Sequence, residues 1–233
     1  MISIKINQNI DITAAAKRLY DKLSFLDEDQ MNISDYSKVQ FRNRKANLKN
    51  SLNIYSYLLS LSIINISLED FCFIDYGGGT GILAMLAKEL GIGTVIYNDI
   101  YDISCHDAEK LAGAVGNKAE YYIQGDIDEA INFCNSNNIK CSSVASYDVI
   151  EHIYDIDAYF KKLYLLSPAT IVMASGANSF NPFIRRSLMK KAKNAEYEHR
   201  DKKYGHKERD SLESYFALRR KIIQEHLLYF PTF

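Results

Sequence analysis

The sequence is marked first by what it lacks. No stretch approaches the roughly eighteen consecutive apolar residues that a membrane-crossing helix requires, so a helical span is excluded. Cys72, Cys105, Cys134 and Cys141 show no C-x-x-C spacing, which removes a zinc site or a disulfide framework. There are only three prolines, and no Pro-rich linker, internal repeat or low-complexity tract. The opening "MISIKINQNIDIT" has neither a long apolar core nor a small-residue cleavage site, so no secretory leader is expected and the cytoplasm is the expected compartment. A formal net charge of −1 argues against whole-molecule binding to nucleic acid.

What is present suits a folded α/β domain. The chain has 233 residues, 47% hydrophobic and 24% charged, enough for one sizeable core plus an appendage. Its charge is uneven. From Phe183 to Lys221 there are thirteen Lys or Arg against six Asp or Glu, a local +7.

Three regions emerge from pattern. Residues 1–68 read as a helical extension. Ala15, Leu19, Leu23 and Leu26 recur at helical spacing over residues 11–28. Ser34 is placed to cap a second helical stretch over residues 35–64. Residues 69–176 change texture. The β-rich runs "FCFIDY", "TVIYND", "AEYYIQGD", "SSVASYDVI" and "ATIVMAS" alternate with "GILAMLAKELG", "CHDAEKLAGAVG", "IDEAINFCNSN" and "DIDAYFKKLYLL". Such alternation means βαβ units and a doubly wound, mostly parallel sheet. Residues 177–233 read as a basic, helical segment.

The stretch "FIDYGGGTGILAML" carries the most chemistry. Glycines lack a Cβ, so a ligand can approach this loop closely. Gly77, Gly79 and Gly81 are spaced G-x-G-x-G, and Ile82 stands where a dinucleotide fingerprint would want its third glycine. No P-loop lysine comes after it. The residues "FIDYGGGTG" resemble the first motif of the class I, Rossmann-like S-adenosylmethionine-dependent methyltransferases. The resemblance covers about residues 71–175.

That resemblance implies a strand order of 3-2-1-4-5 and S-adenosylmethionine as cofactor, with S-adenosylhomocysteine as product. It implies that Asp75, Tyr76, Gly77, Gly78, Gly79 and Gly81 pass under the methionine portion and ribose. Asp99, flanked by Asn98 and Ile100, would accept both ribose hydroxyls, because one carboxylate can take two O–H donors. Asp126, with Ile127, would meet the adenine amino group, although Asp126 also suits a helix cap. In "YDVIEHI", Asp148 and Val149 would line the cofactor. His152 is the candidate general base, since its ring titrates near neutral pH; packing in a first helical turn is its plainer reading. Some relatives place a divalent metal at Glu-x-x-Glu-His; here Asp148 replaces the first Glu, and no metal is expected.

The expected activity is methyl transfer to a small-molecule acceptor. An Asn/Asp-Pro-Pro-aromatic motif is absent, which disfavours nucleobase amines. Arg185, Arg186, Lys190, Lys191, Lys202 and Lys203 suit either an anionic substrate or a solvated helical surface. Asn178, Phe180, Asn181 and Phe183 are candidates for the acceptor wall, and His206 is a weaker one. Tyr20, Tyr36 and Phe41 suit either a lid or helix packing. The final antiparallel hairpin of the family is missing or replaced after Ser175. The chain is then either part of a longer protein or covered at its sheet edge by a helix or a partner chain. Two rival readings stand beside this one: a non-catalytic S-adenosyl ligand-binding module or partner subunit, and an NAD-dependent oxidoreductase, which Ile82 disfavours.

Overall fold

The computed structural model describes residues 5–7, 10–64, 67–153 and 155–176, together with 182 and 186. The chain divides into two compact units, Met1–Gly176 and Ala177–Phe233, and the first carries the sheets and the helices that cover them.

Two short strands, β1 (Lys5–Asn7) and β2 (Ile10–Asp11), pair antiparallel. Nothing in the sequence pattern announced them. Asp11 then caps α1 (Ile12–Ser24), its carboxylate accepting from the Ala14 N–H. Ser34 caps α2 (Asp35–Ala46) as its position suggested, accepting from the Ser37 N–H at 3.1 Å. The helical stretch expected over 35–64 is two helices. Asn47, at φ −121°, separates α2 from α3 (Leu48–Ser62), and its N–H caps the Arg44 and Lys45 carbonyls. Asparagine competes with the helix for backbone hydrogen bonds, and the chain breaks there.

The expected α/β alternation comes next: β3 (Cys72–Tyr76), α4 (Ile82–Leu90), β4 (Thr94–Asp99), α5 (Asp102–Ala114), β5 (Tyr121–Gln124), α6 (Ile127–Ser136), β6 (Ser143–Tyr147), α7 (Ile156–Leu165) and β7 (Thr170–Ala174). All five strands of this Rossmann-like sheet are parallel, in the order β5-β4-β3-β6-β7. Counted within the sheet that is 3-2-1-4-5; the N-terminal pair, a separate sheet, shifts the whole-chain numbering. The longer run "AEYYIQGD" pairs only over Tyr121–Gln124, because Gly125 turns the chain away at φ +138°.

Side-chain alternation along β3 sorts the core into two layers. Phe71 and Phe73 join Leu19, Leu52, Leu59, Met85 and Leu111 on the face covered by α1, α3, α4 and α5. Cys72 and Ile74 join Ile96, Ile131, Val144 and Leu163 on the face covered by α6 and α7. The N-terminal helices therefore share the first layer of the core with α4 and α5. Glu89 fastens them: its buried carboxylate accepts from Arg18 at 2.6 Å, Lys22 at 2.5 Å and Asn117 at 2.8 Å. Among the described residues, no helix is long and apolar enough to cross a membrane.

Candidate functional site

The central strand β3 delivers the glycine loop to the carboxyl ends of the strands, at the point where the strand order reverses. Ligands of open α/β sheets bind at such points. Gly77, Gly79 and Gly81 all have positive φ, +68°, +53° and +75°. Two of the glycines are needed for different reasons. A Cβ on Gly78 would lie 2.5 Å from Tyr97 Cε2 and 2.8 Å from Asp75 Oδ2, so the loop must pack tightly onto β4 there. A Cβ on Gly79 would meet nothing within 4 Å, so this residue borders open space while its backbone requires the left-handed region.

Strand β4 grips the loop at Gly79 from both sides. The Tyr97 hydroxyl donates to the Gly79 carbonyl at 2.7 Å, and the Gly79 N–H donates to Asp99 Oδ2 at 3.0 Å. Tyr97 and Asp99 are two apart and so share one face of the strand. Asp99 Oδ1 accepts the Tyr101 N–H at 3.0 Å. Burial raises the Asp99 pKa, and the hydrogen bonds from Tyr101 and Gly79 offset part of that rise. Both oxygens thus carry one backbone donor each and retain capacity for another.

Asp75 lies beneath the loop, 2% exposed, and accepts the Ala84 N–H at 3.0 Å. Burial pushes its pKa up to about 7, and nearby Asp99 adds to the effect. Tyr76 is buried with its ring 5.4 Å from that of Tyr159. Asn98 is also buried. Its amide donates at 3.1 Å to the Ile123 and Gly125 carbonyls, binding the end of β4 to the turn before Asp126. Ile100 is exposed at the rim.

Asp126 is exposed and caps α6 in a reciprocal box. Its Oδ1 accepts the Asp128 N–H at 2.7 Å, and Glu129 accepts the Asp126 N–H at 3.0 Å. The helix-cap alternative is therefore realised. Ile127 is buried against the α6–α7 layer. Val149 abuts the loop: a Cβ on Gly77 would lie 2.5 Å from its Cγ2. Asp148 adopts φ +58°, held by the Ala174 carbonyl and by the Gly176 N–H on its carboxylate. His152 closes a short 3-10 turn, Ile150–His152, and is exposed. It does not line the cavity over the glycine loop.

That cavity lies on the face of the sheet covered by α1 and α3–α5. Asp75, Gly77–Gly79, Thr80 and Leu83 form its floor, and Ser104, Ala108 and Leu111 of α5 form one wall. Its roof is α2, through Tyr36, Ser37, Gln40 and Arg44; Tyr55 and Tyr147 close the remaining side. Of the three aromatic candidates, Tyr36 lines this cavity. Phe41 is wholly buried in the core, and Tyr20 lines a different, open depression beside Lys45 and Leu48. Sequence pattern alone missed Gln40, Arg44 and Tyr147. A signal existed for the first two: Tyr36, Gln40 and Arg44 recur every fourth residue, along one helical face.

Among the described residues, no group of three or more His, Cys, Asp or Glu side chains is arranged to hold a metal ion. Asn178, Phe180, Asn181, Phe183, Arg185, Lys190, Lys191, Lys202, Lys203 and His206 lie outside the described residues. Arg186 is described only as an exposed helical residue.

No protein-family model matches this chain, and no curated protein matches it. Among the solved structures that this chain is similar to are two. One is a protein of Thermoplasma acidophilum, 18% identical with a TM-score of 0.41, covering 76% of this chain and 80% of that one. The other is described as a "putative RNA methyltransferase" from Pyrococcus horikoshii, 21% identical with a TM-score of 0.40, covering 61% of this chain and 65% of that one. Likeness at this level bears on neither activity nor ligand.

Proposed function

We propose that this protein is an S-adenosylmethionine-dependent methyltransferase acting on a small molecule. The observation that carries the reading is the contact between Gly79 and Asp99. A positive-φ glycine bordering open space is hydrogen-bonded to a buried strand-end carboxylate with acceptor capacity left over. An adenosyl ligand suits this arrangement. Its ribose offers two O–H donors to Asp99, and the bare Gly79 Cα leaves room for close approach.

A dinucleotide suits it less well. Ile82, in the place of a third glycine, is 1% exposed and packed in the core, so α4 and β3 lack the close helix–strand approach that a glycine gives a dinucleotide turn at that position.

When bound, the cofactor would supply an electrophilic methyl group, and the protein's part is placement. Asp99 would hold the ribose, Asp126 and the Gly125 turn would border the base, and Gly77–Gly79 would support the chain between. A neutral acceptor needs its proton removed, for which His152 is the sequence candidate. Its exposure outside the cavity favours a second reading, a binding module without its own base.

The test has two stages. Calorimetric titration with S-adenosylhomocysteine and with NADH comes first; binding of NADH alone would end the methyltransferase reading. Methyl transfer from labelled cofactor into a fractionated metabolite extract then separates the enzyme from the binding module. Binding without transfer to any fraction would support the module.

A further inference from the structure

Helix α7 carries two apolar faces. The inner one serves the core: Tyr159 and Leu163 are buried in the layer of Ile74, Ile131 and Val144, with Ile156 packed against it. The outer one does not. Phe160, Tyr164 and Leu165 are 42%, 78% and 63% exposed. With Asp157 and Lys161, both exposed, they occupy positions i, i+3, i+4, i+7 and i+8, the spacing of one continuous helical stripe. Single exposed apolar residues are ordinary on a protein surface. Three on one stripe, on a helix whose other face already meets the core, is the pattern of a helix with a second neighbour.

The stripe also has the relief that such a neighbour needs. Asp157, Phe160, Lys161 and Tyr164 line one open depression. Four residues at this spacing frame the hole that receives a side chain from a facing helix.

Charge decides which helix fits. Among the described residues, neither Asp157 nor Lys161 forms an ion pair, whereas the adjacent Lys162 meets Asp128 at 2.5 Å. One acid and one base thus stand a single turn apart on the same stripe, and such a patch is complementary to itself. About a two-fold axis, residue i of one copy meets j of the other while j meets i. With two α7 helices antiparallel and the axis beside Phe160, Asp157 of each copy falls opposite Lys161 of the other. The two Phe160 rings then meet at the centre.

We propose that α7 is a self-association surface, its outer stripe packed antiparallel against the same stripe of a second copy of this chain. The proposal does not depend on the methyltransferase reading. A standard interface buries about 800 Å2 per partner, more than one face of a helix about 15 Å long supplies. The dimer is therefore reversible, and its population follows concentration.

Sedimentation velocity of the full chain, from micromolar to submillimolar concentration, tests this with three variants. The parent should pass from monomer to dimer across that range. Phe160→Glu sets two carboxylates at the axis and should move the midpoint at least tenfold to higher concentration. Asp157→Lys and Lys161→Asp, each alone, should do the same, because like charges then face each other twice. An equimolar mixture of those two variants restores opposite charges at both places and should dimerise as readily as the parent. Far-UV circular dichroism should be unchanged in all three, since the altered side chains are exposed. If a charge reversal loses helix, Phe160→Glu against the parent decides. A parent that stays monomeric throughout overturns the proposal and leaves the stripe to a chain of another kind. Dimerisation that the variants do not weaken overturns it too, since the copies then meet elsewhere. So does a mixture that associates no better than its components, because the two-fold charge pairing is then absent.

Discussion

Ser34 donates both its backbone N–H and its hydroxyl to a single oxygen of Asp107, 73 residues away in sequence. The same hydroxyl oxygen caps α2 by accepting the Ser37 N–H. Burial raises the Asp107 pKa, yet the two Ser34 hydrogen bonds, with Ser37 and Lys110, outweigh it and hold the carboxyl below its ordinary value. One serine thus starts the helix that roofs the cavity and joins it to the wall of that cavity.

Ser34→Ala should therefore cost more than a lost cap. A missing cap is worth about 1 kcal/mol, and the lost hydroxyl bond to the Asp107 carboxylate, which keeps the Ser34 backbone N–H, adds about 1.5–3 kcal/mol. Urea denaturation should show the combined loss, and hydrogen exchange should show faster opening of α2. Unchanged protection in α2 would mean that the Asp107 contact does not hold the roof.

Gly79→Val should abolish or strongly weaken S-adenosylhomocysteine binding. It places a branched side chain in the open space beside the loop, at a φ of +53° that L-residues occupy at a cost of about 1–2 kcal/mol. The fold should survive, because no protein atom lies within 4 Å of the new Cβ. Calorimetry paired with a thermal melt separates the two effects.

Asp99→Ala and Asp126→Ala should differ in kind. Asp99→Ala removes charge-assisted hydrogen bonds worth about 1.5–3 kcal/mol each, and affinity for S-adenosylhomocysteine should fall accordingly. Asp126→Ala should cost about 1 kcal/mol of stability through the α6 cap, with the smaller loss of affinity. Equal affinity of Asp99→Ala and the parent would contradict the ribose assignment.

Asp75 gives the protein a pH dependence of definite sign. Folded, it keeps its proton up to about pH 7, whereas the unfolded chain releases it near pH 4. The group favours the folded state at acidic pH, and that contribution is lost as pH rises from about 4 through about 7, on the order of 3–4 kcal/mol in all. Asp75→Asn keeps an acceptor for the Ala84 N–H and does not ionise. Its melting temperature should exceed the parent's at pH 8, with the advantage shrinking toward pH 4. Parallel pH profiles for the two proteins would show that Asp75 is ionised in both states.

The carboxyl-end site was legible because its parts are local. A strand read from "FCFIDY", a glycine turn and a strand-end Asp99 are set by neighbours within one βα unit, where backbone geometry and side-chain alternation act. The five strands and their helices came from the same short-range rules, whereas their order was what the family resemblance implied. The double duty of Asp126, cap and candidate ligand, was also visible, because a capping box spans only four residues, Asp126 to Glu129.

Tertiary structure alone decided which side chains close the cavity. Gln40 and Arg44 share a helical face with Tyr36, but nothing local says what that face meets, and Tyr36, Phe41 and Tyr20 read alike as aromatics of amphipathic helices. Their fates diverge through contacts made at a distance: Ser34 with Asp107, Arg42 and Lys45 with Glu28, and Arg18 and Lys22 with Glu89. A helical period specifies that a face is buried but not what lies against it. Which residue meets the glycine loop depends on where α2 is held, and that is set by the break at Asn47 and by the pairings of Ser34 with Asp107 and of Arg42 and Lys45 with Glu28.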